Sequence, residues 1–382
     1  MFLLVITMGC VDPFTPDLEG YDAVLSIQGR VIQGKEVAEI RLSNAIPLGE
    51  KEAEPVSRAL VSIRTSEGDT YQLQESEPGV YQSDTTEWEG KPGLSYQLSV
   101  ELPGSRSYES SWEELKASPP IEALTYQFED KPIGYDTLQG MQIYLSTFDP
   151  ESQARYYRWE YEETWIFSIP YPITAYWNTS TLEPELFPAD QVPQTCWGQD
   201  SSTEILIRNT LGLAEDRIVN FPICYVSTEG NQLHRKYSIL VKQYTLSEGA
   251  YEFWRRAQNV SENLGGLFDP IPTQVNGNIR NVDDPEEQVL GYFSADGLST
   301  KRIFITRLAF GPDPWVRRGF EDCRLVLLKD AVEMQAFVQG GGVYVDATID
   351  FNGNVVGGYT GTIPPCGDCR LNGTQERPDF WE

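Results

Sequence analysis

From Ala23 to Leu115, apolar residues recur at every second position: Ala23, Leu25 and Ile27; Ala38, Ile40 and Leu42; Ala59, Val61 and Ile63; Tyr96, Leu98 and Val100. A period of two puts successive side chains on opposite faces, so each run reads as a half-buried antiparallel strand. SEGDT at 66–70, EPGV at 77–80 and GKPG at 90–93 supply the turns between them. The adjacent prolines in KASPPIEAL (116–124) break the alternation, because proline offers no N–H to a ladder, and a domain boundary is expected there. Alternation resumes in ARYYRWEYEETWIFSI and RKYSILVKQYTL. VLGYFSADGLSTKRIFITRL reads as two strands joined at Ala295-Asp296-Gly297, and VDATIDFNGNVV as a hairpin turning at Asn352-Gly353. SEGAYEFWRRAQNVSENLGG has helical spacing, with Ser247 as its cap and Gly265 at its end; a weaker helix is expected over Lys329 to Val338. The stretch 166–203 is rich in proline and aromatics and is expected to be irregular past Trp177.

The fold class expected is mainly β. An immunoglobulin-like β-sandwich would occupy 23–117, followed over 121–382 by a larger β-rich domain with one or two helices. PGLSYQLSV (92–100) resembles the tyrosine corner of such sandwiches, in which a tyrosine hydroxyl bonds back to the preceding connection. Tyr96 would be that tyrosine.

The chain begins MFLLVITMGC. This apolar run is far shorter than the roughly 20 residues a spanning helix needs, and suits the core of a secretory signal. Gly9 directly before Cys10 resembles a bacterial lipoprotein signal. Residues 1–9 would then be the signal peptide and Cys10 the lipidated first mature residue. Residues 10–22, acidic and broken by two prolines, would be an extended tether. Acidic residues after such a cysteine also resemble the surface-export signal of Bacteroidota lipoproteins.

The 382 residues carry a net charge of −28, with 40% hydrophobic and 12% aromatic content. That apolar content is enough for real cores. The charge argues against nucleic acid, whose phosphates need clustered Lys and Arg. With Cys10 lipidated, Cys196, Cys224, Cys323, Cys366 and Cys369 remain as disulfide candidates, enough for two bridges and one thiol, with the pairing open.

Signals for catalysis are weak. His234, the one histidine, reads as a strand-edge residue, and GLSTK at Gly297 lacks the closing glycine of a nucleophile elbow. CGDC (366–369) follows two prolines and reads as a disulfide staple rather than a redox or zinc motif. Asp350, Asn352 and Asn354 have calcium-loop spacing, but Val355 replaces the required glycine. DDPEE (283–287) reads as an acidic surface loop. No catalytic residue, metal ligand or cofactor is therefore assigned. Nine aromatics lie between Tyr156 and Trp177; Tyr157, Trp159 and Trp165 read as core, and Tyr171, Tyr176 and Trp177 as candidate contact residues.

YSILVKQYTLSEGAYEFW (237–254), GLFDPIPTQVNGNI (266–279), VLGYFSADGLSTKRIFI (289–305) and the tail CGDCRLNGTQERPDFW (366–381) together resemble one family. It is the Bacteroidota lipoprotein family catalogued as domain of unknown function 4249. The resemblance implies a location and a partner rather than a reaction: the outer membrane, lipid-anchored and facing the cell surface, beside a TonB-dependent transporter. The expected role is a non-enzymatic accessory or ligand-capture protein. A free-standing surface adhesin is the alternative, and a hydrolase a more distant one.

Overall fold

The computed structural model describes residues 24–44, 53–84, 86–188, 191–262, 277–310, 320–351 and 355–381. The signal and tether with Cys10, the helix end at Gly265 and the Asn352-Gly353 turn lie outside these residues. The protein is mainly β, as its alternation implies.

Its organising element is one ten-stranded sheet. Along its path lie Thr195–Ser201, Tyr156–Ser168, Lys236–Thr245, Phe293–Thr306, Leu25–Ile32, Glu39–Asn44, Val80–Gln82 and Gln74–Glu77. Two further sheets cover its ends. A six-stranded sheet built around Leu60–Thr65, Ser95–Leu102 and Arg106–Ser110 covers the N-terminal end. The three strands Ile121–Ile133, Asp136–Asp149 and Asp216–Ser227 cover the other.

The first core contains the predicted Ile27, Ile40, Val61, Ile63, Leu98 and Val100. Each is fully or almost fully buried, worth roughly 1.5–3 kcal/mol of transfer free energy. Tyr96 is buried and its hydroxyl accepts from the Lys91 N–H at 2.7 Å, the corner geometry its sequence context suggests. The core is completed by Ile279, Phe293 and Ala295, far along the chain. Ile279–Asn281 pairs with Arg106–Ser110. The second core packs Met141, Ile143 and Leu145 against Tyr157, Trp159, Ile239 and Val241.

The strand Phe293–Thr306 splices the two halves. Phe293 to Asp296 pair parallel with Gly29 to Ile32, and Gly297 to Thr306 pair antiparallel with the 236–245 strand. The sequence alone suggests a turn at Ala295-Asp296-Gly297; the chain runs straight through it. Gly297 is needed for close approach, because a Cβ there would sit 2.1 Å from the Lys116 carbonyl oxygen. The crossing segment is itself held. The Pro119 carbonyl accepts from Gln243 Nε2 at 2.8 Å and from Ser299 Oγ at 2.7 Å.

Both expected helices form, over Glu248–Glu262 and Ala331–Gln339. Ser247 Oγ caps the first by accepting from the Ala250 N–H at 3.1 Å. The second packs Met334 against the hairpin of Ala175–Asn178 and Glu183–Leu186 and a small sheet containing Val343–Ile349 and Val355–Thr362. The stretch expected to be irregular past Trp177 therefore contains a hairpin, and its last part, Thr195–Ser201, pairs with Tyr156–Ser168.

A charged cleft at the splice as candidate functional site

Where the two halves join, alternation sends one set of side chains into the cores and the other toward a common cleft. In Leu25–Ile32, Ile27 and Val31 enter the core while Gln28 and Arg30 line the cleft. In Tyr156–Ser168, Tyr157 and Trp159 enter the core and Arg158 and Glu160 line the cleft. Phe293 and Ala295 are core, whereas Ser294 and Asp296 line the cleft. Helix 248–262 adds Phe253 and Trp254, giving a cavity of about 320 Å³.

The charges are organised around Glu160. Its Oε1 accepts from Arg30 at 3.3 Å and from Arg158 at 2.5 Å, and its Oε2 accepts from the Tyr244 hydroxyl at 2.9 Å. Burial raises its affinity for a proton, but the Arg158 and Arg30 charges outweigh this, so its carboxyl titrates below the ordinary range. The two guanidinium groups lie 5.1 and 5.8 Å from the Tyr244 ring centre, and Arg158 lies 3.9 Å from that of Trp254.

Asp296 is the exception. It is 1% exposed; Oδ2 accepts from Ser294 Oγ at 3.0 Å, and Oδ1 is buried with no partner. Burial pushes its carboxyl up to about 6, against the pull of Arg30 and Arg158. Arg158 Nε is also buried without a partner. Buried polar groups are normally satisfied, so this site holds an unused acceptor and an unused donor. Glu113 ties the flank together: it accepts from Tyr292 at 2.9 Å, Ser247 at 2.6 Å and Asn278 Nδ2 at 2.9 Å.

The sequence does not single out Arg30, Arg158, Glu160 or Asp296, which come from three separate strands. Their trace is local: charged residues at alternate positions among large apolar ones, as in YYRWEY.

Other candidates fall elsewhere. Cys196 pairs with Cys369 and Cys323 with Cys366, so each cysteine of CGDC staples a different segment. Among the described residues Cys224 is the free thiol; it is buried, and burial and the charge of Glu163 push it up to about 12. Tyr171 is half-buried, and its N–H donates to the Cys366 carbonyl at 3.2 Å. Tyr176 is 46% exposed on the hairpin. Trp177 is no contact residue: its ring is buried against Tyr344 and Tyr359, and Nε1 donates to Gln335 Oε1 at 2.9 Å. Hairpin alternation turns it inward while Tyr176 turns out. Within the acidic loop 283–287, Glu287 accepts from the Tyr108 hydroxyl at 2.9 Å. Among the described residues, no group of three or more His, Cys, Asp or Glu is placed to hold a metal ion.

No curated protein matches this chain. A solved structure titled "Biofilm associated protein - BSP domain" aligns over 93% of this chain and 80% of its own, at 9% identity and a TM-score of 0.14. The family described as "Domain of unknown function (DUF4249)" matches residues 11–302, a span containing every residue that lines the cleft. With most of its length so matched, the chain belongs to the DUF4249 family.

Proposed function

We propose that this protein is a lipid-anchored component of the bacterial outer membrane that faces outward and captures a small ligand beside a TonB-dependent transporter. The observation that carries the capture role is the cleft at the splice, with Asp296 Oδ1 and Arg158 Nε buried and unused. Binding suits the cleft better than catalysis. Both oxygens of Glu160 are engaged, and so are those of Glu39, which accept from Arg41 and Gln82. Asp296 is the lining carboxylate with an unengaged oxygen, and the lining sets no histidine and no second unengaged carboxylate beside it to complete an acid–base pair. The address rests on the MGC sequence at 8–10 and on the acidic, proline-broken tether after it. A tether converts encounter with a neighbouring transporter into an intramolecular event, so modest contacts suffice.

The adhesin reading draws on the hairpin 121–149, which exposes Tyr126 along its first strand and Ile133 and Tyr135 at its turn. Detergent pull-down of the tagged full chain separates the two. Co-purification of a large β-barrel is expected; recovery of this chain alone favours the adhesin. Cys10→Ala should move the protein from the membrane to the soluble fraction, and unchanged membrane attachment would refute the anchor.

A further inference from the structure

We propose that the cleft at the splice takes a neutral polyhydroxylated ligand, a unit the size of a sugar ring. This rests on the capture role proposed above and names its ligand class.

Charge balance comes first. Three arginines, Arg30, Arg41 and Arg158, face three carboxylates, Glu39, Glu160 and Asp296. A balanced lining carries no net charge to attract an ion, and an ion entering a partly dry site must recover a large desolvation cost. An anion is opposed further by the overall charge of −28.

Hydrogen-bonding capacity comes second. The oxygens of Glu39 and Glu160 are all engaged, so Asp296 Oδ1 is the one unused carboxylate oxygen in the lining. An ammonium carries three donors, and beyond Asp296 Oδ1 it would have to share carboxylate oxygens that already accept from Arg30, Arg41, Gln82, Arg158 or Tyr244. That disfavours amino acids and other zwitterions as well as simple cations. A hydroxyl donates once and accepts, which matches the stock available. Asp296 Oδ1 accepts, Arg158 Nε donates, and Arg30 directs a single N–H to Glu160 with its other donors uncommitted. Neighbouring hydroxyls on one ring supply both roles at the spacing of adjacent carbons.

Shape comes third. The cavity of about 320 Å³ lies at the small end of the roughly 300–1,000 Å³ usual for ligand sites, and suits one ring rather than an extended chain. Phe253, Trp254 and Tyr292 contribute aromatic wall, the surface on which the C–H faces of a sugar pack.

The test is calorimetric titration of the detergent-solubilised full chain. The panel holds neutral mono- and disaccharides, glycine and dialanine as zwitterions, and acetate and citrate as anions. A neutral sugar should bind, with an affinity changed less than about twofold by raising salt from low to high, because no net charge is paired. Asp296→Ala and Arg158→Gln should each weaken it roughly tenfold or more, as expected for losing one charge-assisted bond. If either variant fails to fold, Gln28→Ala and Arg41→Gln at the exposed rim supply the readout, each weakening the same sugar. Binding of a zwitterion or anion with no sugar bound would overturn the ligand class and leave the capture role standing. Binding of no probe by the folded protein would overturn both, as would sugar binding indifferent to all four substitutions.

Discussion

Asp296→Asn tests the electrostatics of the cleft. An aspartate in an unfolded chain titrates near 3.9, whereas burial holds Asp296 at about 6. Between these values the folded state binds more protons than the unfolded state, so this residue makes stability fall as pH rises. The cost is absent below about pH 4 and complete above about pH 6–7. Two pKa units correspond to about 3 kcal/mol. The variant's amide does not ionise and carries no such cost. Arg30 and Arg158 oppose the shift and Glu113 reinforces it, and their effects are already contained in the pKa of about 6. The assay is urea unfolding of wild type and variant at several pH values from 4 to 8, read by tryptophan fluorescence. The variant should gain on wild type by about 2–3 kcal/mol across that range, whatever the offset between them at any one pH. A pH-independent difference would refute the reasoning. So would wild type gaining on the variant as pH rises, because attraction to the two guanidinium groups would then outweigh burial.

Three further substitutions probe the frame. Tyr96→Phe removes the corner bond to Lys91 and should cost about 0.5–1.5 kcal/mol in chemical denaturation. Gly297→Ala forces a Cβ against the backbone of Lys116 and Ser118 and should cost about 1–3 kcal/mol or more, measured against Gly212→Ala, where no atom lies within 4 Å. Trp177→Ala should cost about 3–5 kcal/mol by emptying a buried site, and Tyr176→Ala, on the exposed side of the same hairpin, less than about 1 kcal/mol; equal losses would contradict the inward turn of Trp177.

Alternation in the sequence locates the strands because it is a local record of which face is buried. Ile27, Val61, Leu98 and Val100 lie where that record puts them. The tyrosine corner and the Ser247 cap are legible for the same reason: each is a contact over three to five residues. The splice is not. Asp-Gly between apolar runs is a strong turn signal, but nothing near residue 297 reports that Lys116 crosses over it. The cleft is illegible in the same way, since Arg30 and Glu160 meet across 130 residues. Cysteine counting yields two bridges and one thiol, and the fold alone supplies the pairing, including the 173-residue separation of Cys196 and Cys369.

The cleft exists because the strand 293–306 joins both halves into one sheet. Native-state hydrogen exchange on the Ile27, Gly29 and Gln33 amides, which donate to Leu290, Tyr292 and Asp296, measures that junction directly. Their protection should match that of Ile239 and Val241 in the middle of the sheet. If those three amides exchange at rates typical of fraying strand edges while Ile239 and Val241 stay protected, the halves are not spliced and the cleft is not a built site.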